Sequence, residues 1–167
     1  CYVALRGPNR HVSRLRHYNL PDDTLLLPNA PCYRLTRGRI LDELTVQPIP
    51  QHSLKPGEVV ITVKAAGLNF RDVLNAMGLN LGQAADLLGS DCPGIISAVG
   101  PGVETYQVGD EVMGFAQGSF ANKAISRPEW IVRKPSKWSF SEAATVPTVF
   151  LTTYHGLIEL ARLKAGD

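Results

Sequence analysis

Asn69, Arg71 and Asp72 stand together in "GLNFRDVL", where a β-branched run, "VVITVKAAG", gives way to a helical pattern. An amide, a guanidinium and a carboxylate this close can do one of two things. They can brace the junction, with Asn69 as N-cap, Asp72 in the first turn where the helix dipole favours it, and Arg71 paired to a nearby carboxylate. Or they can face a cleft, where the Asn69 amide fixes the polar edge of a ligand. "TTYHG", residues 152–156, raises the same choice. Thr152 and Tyr154, near the start of a helical pattern, either pack within the helix or form a polar lining. Spacing alone favours the structural role in both places and leaves the other open.

Other chemistries find less support. A zinc site needs three or four convergent Cys, His or carboxylate ligands. None of His11, His17, His52 and His155 pairs with another His or a Cys at ligand spacing, apart from His11 and His17 on an arm expected to face solvent. Asp91 and Cys92 are adjacent in "GSDCPG", and neighbours on a strand point to opposite faces. No metal is therefore expected. The G-x-S-x-G elbow of a nucleophilic serine, the G-x-G-x-x-G of a dinucleotide site and the P-loop are all absent from these residues. "VGPGVETYQVGD" lies between two strand patterns and reads as a turn.

The elements that must position these residues are mostly strands. The chain has 167 residues, 44% hydrophobic and 19% charged, with a net charge of +2, enough for one sizeable core. "CYVALR" and "HVSRLRHY" flank the turn "GPN" as a strand pair, and "LPDDTLLLPNAP" reads as a connector. "RHVSRLRH" is the nearest thing to a basic run. It alternates Val12 and Leu15 with Arg14 and Arg16, so it reads as a strand with one wet face, not as a nucleic-acid site. "CYRLTRGRILDELTVQPIP" has the pattern of a hairpin ending at Pro48. "GEVVITV", "GIISAVG", "DEVMGF", "GSFANKAIS" and "EWIVRKP" are further strands, and the frequent glycines suit the corners of a partly open barrel. "SFSEAATV" has the capping-box spacing from Ser139 to Glu142, with Pro147 expected to stop that helix. "TVFLTTYHGLIELARL" is helical, with Gly166 as its expected C-cap.

No stretch approaches the roughly 20 apolar residues that cross a membrane, and the start has no secretory pattern. A start without Met reads as the interior of a longer chain. Three distant cysteines, Cys1, Cys32 and Cys92, make no disulfide framework, so a reducing, cytoplasmic setting is expected.

Several long motifs carry a resemblance. "GEVVITVKAAGLNFRDVLNAMG", "GSDCPGIISAVGPGV", "VGDEVMGF", "GSFAN" and "WSFSEAATVPTVFLTTYHGL" occur in an order and spacing similar to the enoyl-reductase domain of modular polyketide synthases, in the medium-chain dehydrogenase/reductase superfamily. "YVALRGPNRHVSRL" and "YRLTRGRILDEL" resemble the segment that leads into such domains. The resemblance implies a mainly β fold with short helices. This is a GroES-like partly open barrel over residues 32–167, preceded by a strand pair and connector over residues 1–31. Its C-terminal helices lead towards a Rossmann domain that these residues do not include.

It also implies NADPH as hydride donor and a phosphopantetheine-linked enoyl thioester, presented by an acyl carrier protein among adjoining synthase domains. By the same resemblance Asn69 lies near the nicotinamide end, Phe70 and Arg71 shape that motif, and Thr152 and Tyr154 lie against the cofactor. Zinc-dependent relatives carry Cys at the position of Asn69 and His–Glu at Ser90–Asp91. The tyrosine that many members place as proton donor is replaced by Asn80, whose amide cannot donate a proton at neutral pH. The Lys and Asp that serve as other candidate acids would follow Asp167, so these residues alone are expected to be inactive. A stand-alone quinone oxidoreductase and a non-catalytic structural barrel are the alternatives. The oligomeric state is left open.

Overall fold

The β-branched run after Pro56 and Gly57 becomes the strand around which the rest is laid. The computed structural model describes residues 3–6, 9–12, 27–37, 44–51, 53–79 and 87–166, the first two segments by backbone alone. A strand pair, β1 (Val3–Arg6) and β2 (Asn9–Val12), leads the chain, and a hairpin of β3 (Tyr33–Thr36) and β4 (Thr45–Pro48) follows. Then come β5 (Val59–Val63), helix α1 (Phe70–Ala76), β6 (Asp91–Val99), β7 (Glu111–Phe115), β8 (Lys123–Ser126) and β9 (Ile131–Arg133). Helices α2 (Phe140–Ala144) and α3 (Pro147–Tyr154) end the described order, and α3 runs on as a π-helical stretch, His155–Leu160.

β5 to β9 form one antiparallel five-stranded sheet in the order β8-β5-β6-β7-β9. The sheet is open: among the described residues no ladder joins β9 back to β8. The hairpin is stitched alongside, with Arg34 bridged to Ala121 and the Tyr33 N–H donating to the Asn122 side chain at 2.9 Å. Val59, Ile61, Ile96, Val112 and Ile131 are buried in the core. Burial alternates along β8 and at the start of β5, as on a half-wet sheet, whereas the first four residues of β6 and the middle three of β7 are all buried. The ladder slips between Val60 and Ile61: Val60 faces Ala98 but Ile61 faces Ile96, so Ser97 is a bulge residue.

β6 starts three residues earlier than "GIISAVG" predicts, because Pro93 argues against a central strand. Its carbonyl accepts from the Lys64 N–H at 3.1 Å, so its donorless nitrogen faces the same side, just past the last paired residue of β5. Gly94 follows for a different reason. A Cβ there would stand 2.3 Å from the Thr62 carbonyl oxygen.

The capping box at α2 forms as expected. The Ser139 Oγ accepts from the Glu142 N–H at 3.1 Å, and the Glu142 carboxylate accepts from the Ser139 N–H at 2.7 Å. The Ser139 N–H, and after it the Ser139 hydroxyl donating to the same carboxylate at 2.8 Å, hold the Glu142 carboxyl below its usual range. Two expectations at the C-terminus are corrected. α2 ends at Ala144, and Pro147 does not stop it but opens α3 at its first position, where a missing N–H is harmless. Gly166 is not a cap: the helical run ends at Leu160, capped by Ala161, and Gly166 sits in a later turn at φ +99°. Arg14, Arg16, His17, His52, Asn80, the "GPN" and "TRG" turns and most of the connector lie partly or wholly outside the described residues. Among the described residues no helix is long and apolar enough to cross a membrane.

Gly94→Ala is expected to push β5 and β6 apart and lower stability by about 1–3 kcal/mol. Gly102→Ala, where a Cβ meets nothing within 4 Å but φ is +79°, tests backbone strain alone. Urea denaturation midpoints check both, and an unchanged midpoint for Gly94→Ala would contradict the close approach.

Candidate functional site

α1 begins where β5 has left the sheet, and its first residues are held by two buried carboxylates. Asn69 is the N-cap residue, extended at φ −107° and ψ 155°. Its N–H donates to Asp72 Oδ2 at 2.9 Å, and Asp72 Oδ1 accepts the Gly89 N–H at 3.0 Å. Asp72, 2% exposed, thus ties the first turn of α1 to the turn before β6. Its first-turn position was legible in the sequence, but the Gly89 bond was not.

The side chain of Asn69 also reaches beyond its own helix. Its Nδ2 donates to Asp91 Oδ1 at 2.9 Å, while Asp91 Oδ2 accepts the Thr148 N–H at 3.0 Å. Asp91 is 1% exposed. Its backbone carbonyl accepts from the Ser119 hydroxyl at 3.0 Å and the Gly67 N–H at 3.3 Å. One residue therefore joins the start of α1, the start of β6 and the start of α3. Gly67 makes room for it, since a Cβ there would lie 2.7 Å from Asp91 Oδ1 and 2.8 Å from the Ala144 carbonyl oxygen.

The relay continues through Thr148, whose carbonyl accepts from the Thr152 hydroxyl at 2.7 Å. Two of the predicted site residues, Asn69 and Thr152, are thereby linked through Asp91 and Thr148. Thr152 lies in the second half of α3, not near its start, and faces solvent. Tyr154 is on a different surface: 56% exposed, it lines an apolar groove of about 460 Å³ with Phe150, Leu151 and Leu157. Phe70 is 76% exposed beside Asn69. Arg71 lines a small cavity of about 150 Å³ with Asn75, Gly89 and Ser90. Asn75, which the sequence reading did not single out, is buried there with no partner for its Oδ1. Asp91 was weighed only as half of a metal pair; a carboxylate opening an apolar strand was the available signal.

Asp91 and Cys92 do point to opposite faces. Cys92 is in the core cluster, where burial, and after it the negative charge of Asp91, pushes its thiol from an ordinary 9.0 up to about 12. The donors at the zinc positions of metal-dependent relatives do not fit zinc. Asn69 and Ser90 offer an amide and a hydroxyl, and both oxygens of Asp91 already accept N–H groups. A nicotinamide fits the surface better. The Asn69 amide stands next to the exposed ring of Phe70, a polar edge and an apolar face that suit a nicotinamide. Asn80 and Asp167 lie outside the described residues.

Residues 55–152 match the alcohol dehydrogenase GroES-like domain. The spectinabilin polyketide synthase system protein NorB of Streptomyces orinoci is 40% identical over 99% of the chain, which spans only 8% of that relative. Among solved structures, the CurK enoyl reductase superposes with a TM-score of 0.73 at 39% identity, over 81% of this chain and 44% of its own. The quinone oxidoreductase of Coxiella burnetii superposes at 0.71 with 26% identity, over 81% and 47%. The chain thus spans under half the length of these solved relatives and a small part of the synthase.

Asp91→Asn is expected to turn an N–H₂ group towards the Asn69 amide or the Thr148 N–H and to cost about 1–3 kcal/mol. Thermal or urea unfolding reads it, and a loss below about 0.5 kcal/mol would show that the relay does not hold the junction. The Cys92 thiol should resist alkylation at pH 8 in the folded chain and react on unfolding, as mass mapping of the label would show. A raised thiol pKa adds stability that is full below about 9 and is lost as pH rises towards about 12.

Proposed function

Because the chain belongs to the alcohol dehydrogenase GroES-like domain family, we propose that it forms the substrate side of an enoyl reductase in a polyketide synthase. The substrate is an enoyl thioester on the phosphopantetheine arm of an acyl carrier protein, flanked by adjoining synthase domains. Residues 32–167 act as the substrate-side domain and residues 1–31 as its leading segment. The observation that carries this reading is the Asn69–Asp91–Thr148–Thr152 relay. It fixes an amide and a hydroxyl at the mouth of the domain, in a chain similar to synthase proteins over nearly its full length.

NADPH, when bound, supplies the hydride for the β-carbon of the enoyl chain. The chain's own residues do the positioning. Asp91 accepts both N–H bonds of the relay, so the Asn69 amide is held in place at the first turn of α1. Phe70 offers an apolar face beside it, Arg71 follows it in α1, and Thr152 is tied to the amide through Thr148 and Asp91. The apolar side chains Phe150 and Leu151 of α3 and Leu157 of its π-helical continuation are exposed. This supports a further layer of the same enzyme packing on them.

The test is NADPH oxidation by the full native polypeptide with an enoyl-pantetheine thioester, beside residues 1–167 alone and beside a quinone acceptor. Turnover of the thioester is expected only from the full polypeptide, and Asn69→Ala should lower kcat/KM about tenfold or more. A preference for the quinone, or an Asn69→Ala enzyme as fast as the parent, would sink the reading.

A further inference from the structure

A cavity of about 810 Å³ opens on the outer face of the five-stranded sheet, away from the core. Its floor is the outward row of the strands, Val60, Ala98 and Ile125, and Ile49, Pro50, Gln51, Ser53 and Leu54 form its wall. A cavity of this size with an apolar floor and a few polar groups is a ligand site by shape. The charge is one-sided. Arg34 and Lys123 both line it, and no carboxylate does so among the described residues.

Neither cation has an acceptor among the described residues. The Arg34 Nε is buried without a partner, and the guanidinium lies against Gly118, whose Cβ would come within 3.2 Å of that nitrogen. The two are brought together by register. Arg34 bridges to Ala121, two residues before Lys123, which itself pairs with Thr62. Cations held in a concave, half-apolar site without a counter-charge are costly unless an anion supplies it. Leu87 and Gln117 line both the cavity and the smaller one beside Arg71 and Ser90, so the trough and the start of α1 are neighbours.

We propose that this trough binds the phosphate-bearing arm of a carrier-linked substrate. Arg34 and Lys123 hold the phosphate ester, and the apolar floor with Gln51 and Gln117 guides the amide-bearing chain towards Asn69. The proposal rests on the enoyl-reductase reading for the identity of the arm. Free phosphate shares the anionic chemistry but has no chain to fill the floor.

Calorimetric titration of the full native polypeptide, without NADPH, compares 4′-phosphopantetheine, pantetheine and inorganic phosphate. Phosphopantetheine is expected to bind about tenfold or more tightly than either fragment, and Lys123→Gln to remove that advantage while Lys123→Arg keeps it. Equal binding of pantetheine and phosphopantetheine would overturn the site, as would an unaffected Lys123→Gln or a Lys123→Arg as weak as Lys123→Gln. Inorganic phosphate binding as tightly as phosphopantetheine would overturn the arm as occupant. Binding is read apart from turnover: reduction without phosphate discrimination sinks the site alone, and discrimination without reduction sinks the reductase reading alone.

Discussion

The buried carboxylate of Asp91 is the constraint on which the rest of this architecture depends. A charged group 1% exposed is tolerable only when its oxygens are satisfied, and here each accepts one N–H. The two donors come from elements far apart in sequence, the Asn69 side chain and the Thr148 backbone. Three segments that share no ladder are therefore fixed to one point. Asp72 works beside it as a second strut, and between them they leave the first turn of α1 little freedom.

The open sheet and this junction divide the work. The sheet supplies rigidity through the inward residues of β5, β6 and β7, and its glycines let backbones approach where side chains would not fit. The junction supplies direction. A hydrogen-bonded carboxylate stands at its centre and holds an amide. The same scaffold thus presents two surfaces: an apolar helix flank, and a trough lined by Arg34 and Lys123 on the outer side of the sheet.

Much of this was legible in the sequence, and the limits have physical causes. Period-two alternation with punctuating turns identified the strands, and the Ser139–Glu142 spacing identified the α2 cap, because both signals are local. Pro93 hid the start of β6, since its tolerance depends on where β5 stops. Pro147 was read as a stop because a proline that ends one helix and begins the next looks the same in sequence. Asn69 reads in sequence as a junction residue, but its bracing bond runs to Asp91, 22 residues away, a partner that no local signal points to. The roles of Asp91 and Asn75 were illegible because they depend on partners 22 or more residues away or on a cavity assembled from several elements.

α3 is gripped at one end. Thr148 lies in its first turn, while most side chains from Val149 to Leu163 face outward. The helix and its π-helical continuation therefore act as a lever whose fulcrum is the Asp91–Thr148 bond. A small tilt imposed on the far end by anything packed against it arrives at the fulcrum as a shift of one carboxylate. The other oxygen of that carboxylate holds Asn69. The aim of the amide is in this way geared to the seating of a surface several helical turns away, and loose packing there would be felt as a misplaced hydrogen bond at the site.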